Sequence, residues 1–381
     1  MESPVKPLTH VLKIEPYLPG DSAVAGVTKI TKMSSNETPL GPSPEAKSAA
    51  LGAMDELERY PESSAAIVRH ALADRYALDA RRIVCEAGSE QLINLIARIF
   101  AGPGDEILYS AHGFIAYKIA ALSCGATPVA APEKNLTTDV DALLGLVSER
   151  TKVLFLANPN NPTGTSLPTE EILRLRRELP ESVLLVLDGA YAEYVQDEDY
   201  TAGLELVSEY PGNVVVLRTF SKIYGLAGLR LGWSYSSLEL AMALHRLRGV
   251  FTVTTIAAKA AVAAVKDQDH EQRARDHNAK WLPWLNEQLS ALGLDMTDSK
   301  GNFVLARFAS GEEAAAADFH LRSNGVITRT LKEYGLGDCL RVTVGLEEHN
   351  KLLVSLLKDF LASSRGAVSY THLRAHETKA N

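Results

Sequence analysis

KVLFLANPNNPTG (residues 152–164) and VLLVLDGAY (residues 183–191) each open on a run that is apolar almost throughout and then turn abruptly polar. A strand with one wet face alternates apolar and polar side chains. A run without alternation reads as a central strand covered by helices on both faces, the signature of a parallel sheet. In such sheets the chemistry collects beyond the C-terminal ends of the strands, which is where Asn161 and Asp188 fall.

Outward from this pair, the β-rich runs RIVCEA (82–87), EILYS (106–110), TPVAAP (127–132) and NVVVLRT (213–219) alternate with helical stretches at 90–100 and 169–179. The pattern predicts an α/β domain on a largely parallel sheet. Helical stretches at 257–266 and 271–292 follow, and then GNFVLARF, a helix, GVITRT and CLRVTVG, which read as a smaller α+β domain. The expected division is an arm over 1–35, punctuated by Pro4, Pro7, Pro16 and Pro19, a large domain over 36–270 and a small one over 271–366. Residues 352–361 read as a last amphipathic helix. The remainder, AVSYTHLRAHETKAN (367–381), has no helical or strand period, and 368–378 resembles the translation of a sequencing adaptor. It is treated as a non-native tail outside the fold, and with it go His372 and His376, so no metal site is expected.

Bulk properties narrow the function. A net charge of -8 over 381 residues argues against nucleic acid and anionic membranes, which select basic surfaces. No stretch approaches the ~18 apolar residues of a spanning helix, and the N-terminus lacks the basic and apolar regions of a signal peptide. Three cysteines, Cys85, Cys124 and Cys339, without short spacing support neither a disulfide framework nor a metal cluster. The expectation is a cytoplasmic protein acting on small molecules. A nicotinamide-dependent dehydrogenase is excluded, since no GxGxxG opens a helix after the first strand.

TFSKIYGLAGLRLGW (219–233) sets Lys222 just beyond a strand, among small and apolar residues that desolvate it in part. Desolvation disfavours an ammonium and frees the amine to attack an aldehyde. Ser221 and Arg230 beside it are phosphate ligands by chemistry. Asp188, at a buried strand end, needs a cationic partner, and a protonated pyridinium nitrogen is one. Asn161 and Tyr191 can reach a ring hydroxyl. In CEAGSEQLINLIARIF (85–100) a strand passes through Gly88 and Ser89 into a helix whose free amides can bind phosphate. Taken singly, Ser89 reads equally as a helix cap and Tyr191 as a core tyrosine.

Asn161, Asp188, Tyr191, Lys222 and Arg230, in this order and spacing, resemble the aspartate-aminotransferase superfamily of fold type I, whose cofactor is pyridoxal 5'-phosphate. Within it EPYLPG (15–20), SSNETPLGPSP (34–44), RYPE (59–62), AGSEQ (87–91), NPNNPTG (158–164), TFSKIYGLAGLR (219–230) and CLRVTVG (339–345) resemble the histidinol-phosphate aminotransferases over about residues 10–360. The resemblance implies that Lys222 carries the cofactor and moves a proton between the substrate α-carbon and the cofactor, with Asp188 at the pyridinium nitrogen. It places Asn161 and Tyr191 at the ring hydroxyl and stacks Phe114 on the ring. Ser89, the Glu90 backbone, Ser221 and Arg230 would hold the phosphate, with Tyr60 supplied by the second subunit of a homodimer. Arg341, assisted by Arg329, would grip the substrate's carboxylate or phosphate, and Tyr17 would touch the substrate phosphate from across the dimer. Implied substrates are histidinol phosphate and glutamate or 2-oxoglutarate. The cofactor set equally fits an aromatic amino acid aminotransferase or a threonine-phosphate decarboxylase, and a silent binding module is the non-enzyme alternative. The chain departs from the family at Gly189, at Glu90-Gln91, and in lacking prolines before Phe114.

Overall fold

The apolar runs become one seven-stranded sheet in the computed structural model, which describes residues 5–16, 21 and 23–377, and for 364–377 the backbone alone. Its strands are β1 (Ile83–Glu86), β2 (Glu106–Ser110), β3 (Thr127–Ala131), β4 (Thr151–Ala157), β5 (Leu184–Asp188), β6 (Val214–Thr219) and β7 (Gly232–Tyr235). They lie in the order β1-β7-β6-β5-β4-β2-β3. Only β7 is antiparallel to its neighbours. Every residue of β5 and β6 is buried, as expected of strands covered on both faces. The strand that patterning does not reveal is β7: four residues opening on a glycine give too little period to read.

Helices α1 (Ser89–Phe100) and α2 (Ala116–Ser123) pack one face of this sheet. Apolar residues recur along α1 at the helical period, burying Leu92, Ile93, Leu95 and Ile96. From α2, Tyr117 and Ala120 join Ile107, Val153, Phe155 and Val186 in the same core. Burying each large side chain contributes about 1.5–3 kcal/mol.

The chain divides into two compact units. The first comprises the described residues of Met1–Leu18, Leu40–His277 and Asp298–Gly301, and holds the large sheet. The second comprises the described residues of Pro19–Pro39, Asn278–Thr297 and Asn302–Asn381. Its sheet, β8 (Asp295–Met296), β9 (Phe303–Arg307), β10 (Arg329–Leu331) and β11 (Leu336–Thr343), runs β8-β9-β11-β10 and is antiparallel throughout. Val304, Leu340 and Val342 from it pack with Trp281 and Leu285 of α3 (Gln268–Ala291), Leu321 of α4 (Gly311–Ser323), and Leu353 and Leu357 of α5 (Glu347–Glu377). Asn36 is fastened to this unit: its amide donates to Thr343 Oγ1 at 2.9 Å, and its carbonyl accepts from Asn302 at 3.0 Å. The last helix runs beyond the 352–361 span read from the sequence.

Candidate functional site

Parallel strands deliver their C-terminal ends to one edge of the sheet, and β4, β5 and β6 bring Asn158, Asp188 and Thr219 there together. The register is held by backbone bonds that continue past the strands, Asn158 N–H to Asp188 O at 3.0 Å and Gly189 N–H to Leu217 O at 2.9 Å. Asp188 is only 5% exposed. Its Oδ2 accepts from the Tyr117 hydroxyl at 2.8 Å and its Oδ1 from the Ala190 amide at 3.2 Å. Burial raises its pKa above the ordinary value, opposed by the Tyr117 bond, the Ala190 amide and the charge of Lys222.

Lys222, half-buried after β6, sets its Nζ 5.5 Å from the centroid of the buried Tyr191 ring. A few residues on, Arg230 is held at φ 52, a left-handed conformation that a residue with a Cβ adopts only at some cost. Its Nη1 reaches Ser221 Oγ at 3.4 Å and Ala227 O at 3.2 Å. The same guanidinium lies against Gly88, the residue capping α1: a Cβ there would stand 2.5 Å from Arg230 Nη2. Gly232, on β7, lies equally close to the helix start, since a Cβ there would stand 2.2 Å from the Ser89 amide nitrogen. Ser89, Glu90, Ser221 and Arg230 therefore converge on one helix N-terminus, whose unsatisfied amides and dipole favour an anion. The Glu90 side chain is exposed, leaving its backbone to face the cradle.

Asn161 stands in the turn after β4, half-buried. Its neighbour Asn160 pins that turn, donating from Nδ2 to His112 O at 3.1 Å and to Thr163 Oγ1 at 2.9 Å. This ties it to the turn leading into Phe114. Phe114 meets the Tyr117 ring edge-on at 6.0 Å, and Tyr117 lies parallel on Phe155 at 4.8 Å. His112 is itself anchored, its Nδ1 2.7 Å from Oε2 of the buried Glu133. Tyr117, Asn160 and the His112–Glu133 pair escaped the sequence reading.

The other expected residues stand on other elements. Tyr60 is 82% exposed, its ring stacked on Phe251 at 4.7 Å. In the second unit Arg329 and Arg341 are direct cross-strand partners on β10 and β11. Arg341 donates to Ser34 O at 2.7 Å with its guanidinium 5.5 Å from the Phe303 ring centroid, and Arg329 pairs with Glu333. Tyr17 lies outside the described residues.

The family Aminotransferase class I and II matches residues 28–356. The histidinol-phosphate aminotransferase of Paramagnetospirillum magneticum is 52% identical over 359 residues, 94% of this chain and 99% of the relative. That of Rhodopseudomonas palustris strain BisB18 is 50% identical over 365 residues, 95% of this chain and all of the relative. Among solved structures, histidinol-phosphate aminotransferase from Sinorhizobium meliloti, in complex with pyridoxal-5'-phosphate, superposes with a TM-score of 0.88 at 27% identity, covering 95% of this chain and 99% of that one. With a matched span that takes in both sheets and every element of the site above, the chain belongs to the class I and II aminotransferase family.

Proposed function

We propose that this protein is a pyridoxal 5'-phosphate-dependent aminotransferase exchanging an amino group between histidinol phosphate and 2-oxoglutarate, a step of histidine biosynthesis. The observation that carries the reading is the juxtaposition, in the first unit, of half-buried Lys222, buried Asp188 and a helix N-terminus faced by Arg230. The substrate is taken from relatives half identical to this chain over nearly the full length of both.

The residues fit the cofactor. Gly88 and Gly232 lack the Cβ atoms that would crowd the anion cradle, and the buried Asp188 carboxylate calls for a cationic partner. Bound pyridoxal phosphate supplies an aldehyde and an electron-withdrawing ring that stabilises negative charge at a substrate α-carbon. Asp188 would keep the ring nitrogen protonated. Asn161 and Tyr191 would donate to the ring hydroxyl, and Phe114 would cover the ring and exclude water. Ser89, the Glu90 amide, Ser221 and Arg230 would hold the phosphate. The Lys222 amine would carry the cofactor and move the proton at the substrate α-carbon. Arg341 and Arg329 would bind the substrate's anionic end, the planar guanidinium suiting carboxylate or phosphate. Tyr17 is proposed to assist there.

The assembly proposed is a homodimer in the cytoplasm. Tyr60 and Phe251, with Met54, Leu57 and Val250, leave large apolar side chains exposed, a patch of the kind that marks an interface. No helix among the described residues is long and apolar enough to cross a membrane. The test is a transamination assay comparing histidinol phosphate with phenylalanine and tyrosine as donors to 2-oxoglutarate, with Lys222→Ala as control. Preference for histidinol phosphate, abolished in the variant, is expected. Preference for an aromatic amino acid would overturn the substrate, and turnover independent of Lys222 would overturn the site.

A further inference from the structure

The Asp188 carboxylate is enclosed, so its oxygens depend on the donors the chain supplies. The bond to Oδ1 is local, from the amide two residues on. The bond to Oδ2 comes from Tyr117, 71 residues away in sequence, on a helix that packs the sheet. The Tyr117 ring has no latitude: it is fully buried, stacked 4.8 Å above Phe155 with 1° between the planes, and met by Phe114 edge-on and by Tyr109 at 6.3 Å. Packing alone would be served by phenylalanine. What the tyrosine adds is a donor held at a fixed point, 2.8 Å from a charged oxygen in a dry environment, where such bonds are strongest.

We propose that Tyr117 is a positioning residue for Asp188, its stacked ring holding the hydroxyl so that the carboxylate stays ionised and in one orientation for the ring nitrogen of pyridoxal phosphate. This deepens the functional reading above and rests on its placement of Asp188. Burial pushes the Asp188 carboxyl up, and the Tyr117 bond is the largest influence pulling it back. The same side chain touches Phe114, so one ring braces both the residue assigned to cover the cofactor and the residue assigned to its nitrogen.

The experiment compares Tyr117→Phe, Asp188→Ala and the double variant. The apoprotein is titrated with pyridoxal phosphate by quenching of intrinsic fluorescence, and apo melting temperatures are recorded. Tyr117→Phe is expected to weaken cofactor binding about tenfold, the scale of a hydrogen bond to a charged group. In the Asp188→Ala background the same substitution should change binding less than about twofold, because the two act as one unit. With histidinol phosphate and 2-oxoglutarate, kcat should fall while KM moves little. Equal losses in both backgrounds, or a lower melting temperature with unchanged cofactor affinity, would mean that the hydroxyl only packs, and the inference fails. If Asp188→Ala leaves cofactor affinity intact, the assignment of Asp188 fails and this inference with it.

Discussion

Gly88→Ala separates the two things the cradle asks of its backbone. Gly88 caps α1 at φ 94 and ψ 156, a region essentially reserved for glycine, so alanine there strains the fold by about 1–3 kcal/mol. Its new Cβ would stand 2.5 Å from Arg230 Nη2. That contact is with the far end of a flexible side chain, which relieves it by swinging away. The displacement removes a guanidinium from the anion site, and a charge-assisted hydrogen bond lost there, about 1.5–3 kcal/mol, weakens cofactor binding roughly ten- to a hundredfold. Gly232→Ala differs: its Cβ would meet the backbone, at 2.2 Å from Ser89 N and 2.7 Å from Gly88 C, which cannot swing aside. Its main effect should be a lower apo melting temperature. The assay is pyridoxal phosphate titration of the apoproteins with thermal melts alongside, extended to Arg230→Ala and Gly88→Ala/Arg230→Ala. If Gly88 acts through Arg230, the double variant binds no worse than Arg230→Ala. Additive losses, or unchanged binding by Gly88→Ala, would refute the reasoning.

Two further outcomes follow from buried charge in the first unit. Arg218 and Glu193, both enclosed with Nη2 2.9 Å from Oε1, form a pair whose halves cannot stand alone, so Glu193→Ala should cost about 3–5 kcal/mol in urea unfolding; a loss under about 1 kcal/mol would show that water reaches Arg218. Burial pushes the Glu133 carboxyl up, but hydrogen bonds from His112 and Ser110 and the charge of His112 outweigh it and leave the pKa lowered. Its contribution is therefore fully present above the ordinary value of 4.5 and is lost as pH falls through the lower folded value. Between those two values melting temperatures of Glu133→Gln should fall less steeply with acid than those of the parent protein, and parallel curves there would remove Glu133 from the account.

The sequence made the strand ends legible and left their support hidden, for a physical reason. VLLVLD and KVLFLA announce themselves because a strand buried on both faces has no room for polar residues, so the first polar residue beyond marks the functional edge. Asp188 and Asn161 follow from that rule, Lys222 and Arg230 from the chemistry of their own side chains and surroundings, and the first unit brings the ends of β4, β5 and β6 onto one edge of one sheet. Tyr117 and Glu133 obey no local rule. Each acts by a hydrogen bond to a residue distant in sequence, and each would look the same in the chain if it only packed. Gly189 became readable only with the structure. A Cβ there would lie 3.0 Å from Arg218 Cδ and 3.3 Å from Ala192 Cβ, so in this chain the bulk beside the central aspartate is already taken by the arginine that pairs with Glu193.

Asp188 shows why such support has to exist. The interior that lets a carboxylate hold a cation strongly is the interior that makes the carboxylate expensive without one, and burial does raise its pKa. Burial alone favours the neutral carboxyl, a form that could not hold the pyridinium nitrogen proposed to pair with it. The chain offsets this with three weaker influences: the Tyr117 hydroxyl, the Ala190 amide and the charge of Lys222. None returns the pKa to its ordinary value, and that residual cost is what a cationic ring nitrogen can relieve. A fully satisfied aspartate would be more comfortable in the empty protein and would gain less when the cofactor enters. On the proposed pairing of Asp188 with the ring nitrogen, this incomplete compensation would favour a ligand that brings a positive charge to that point.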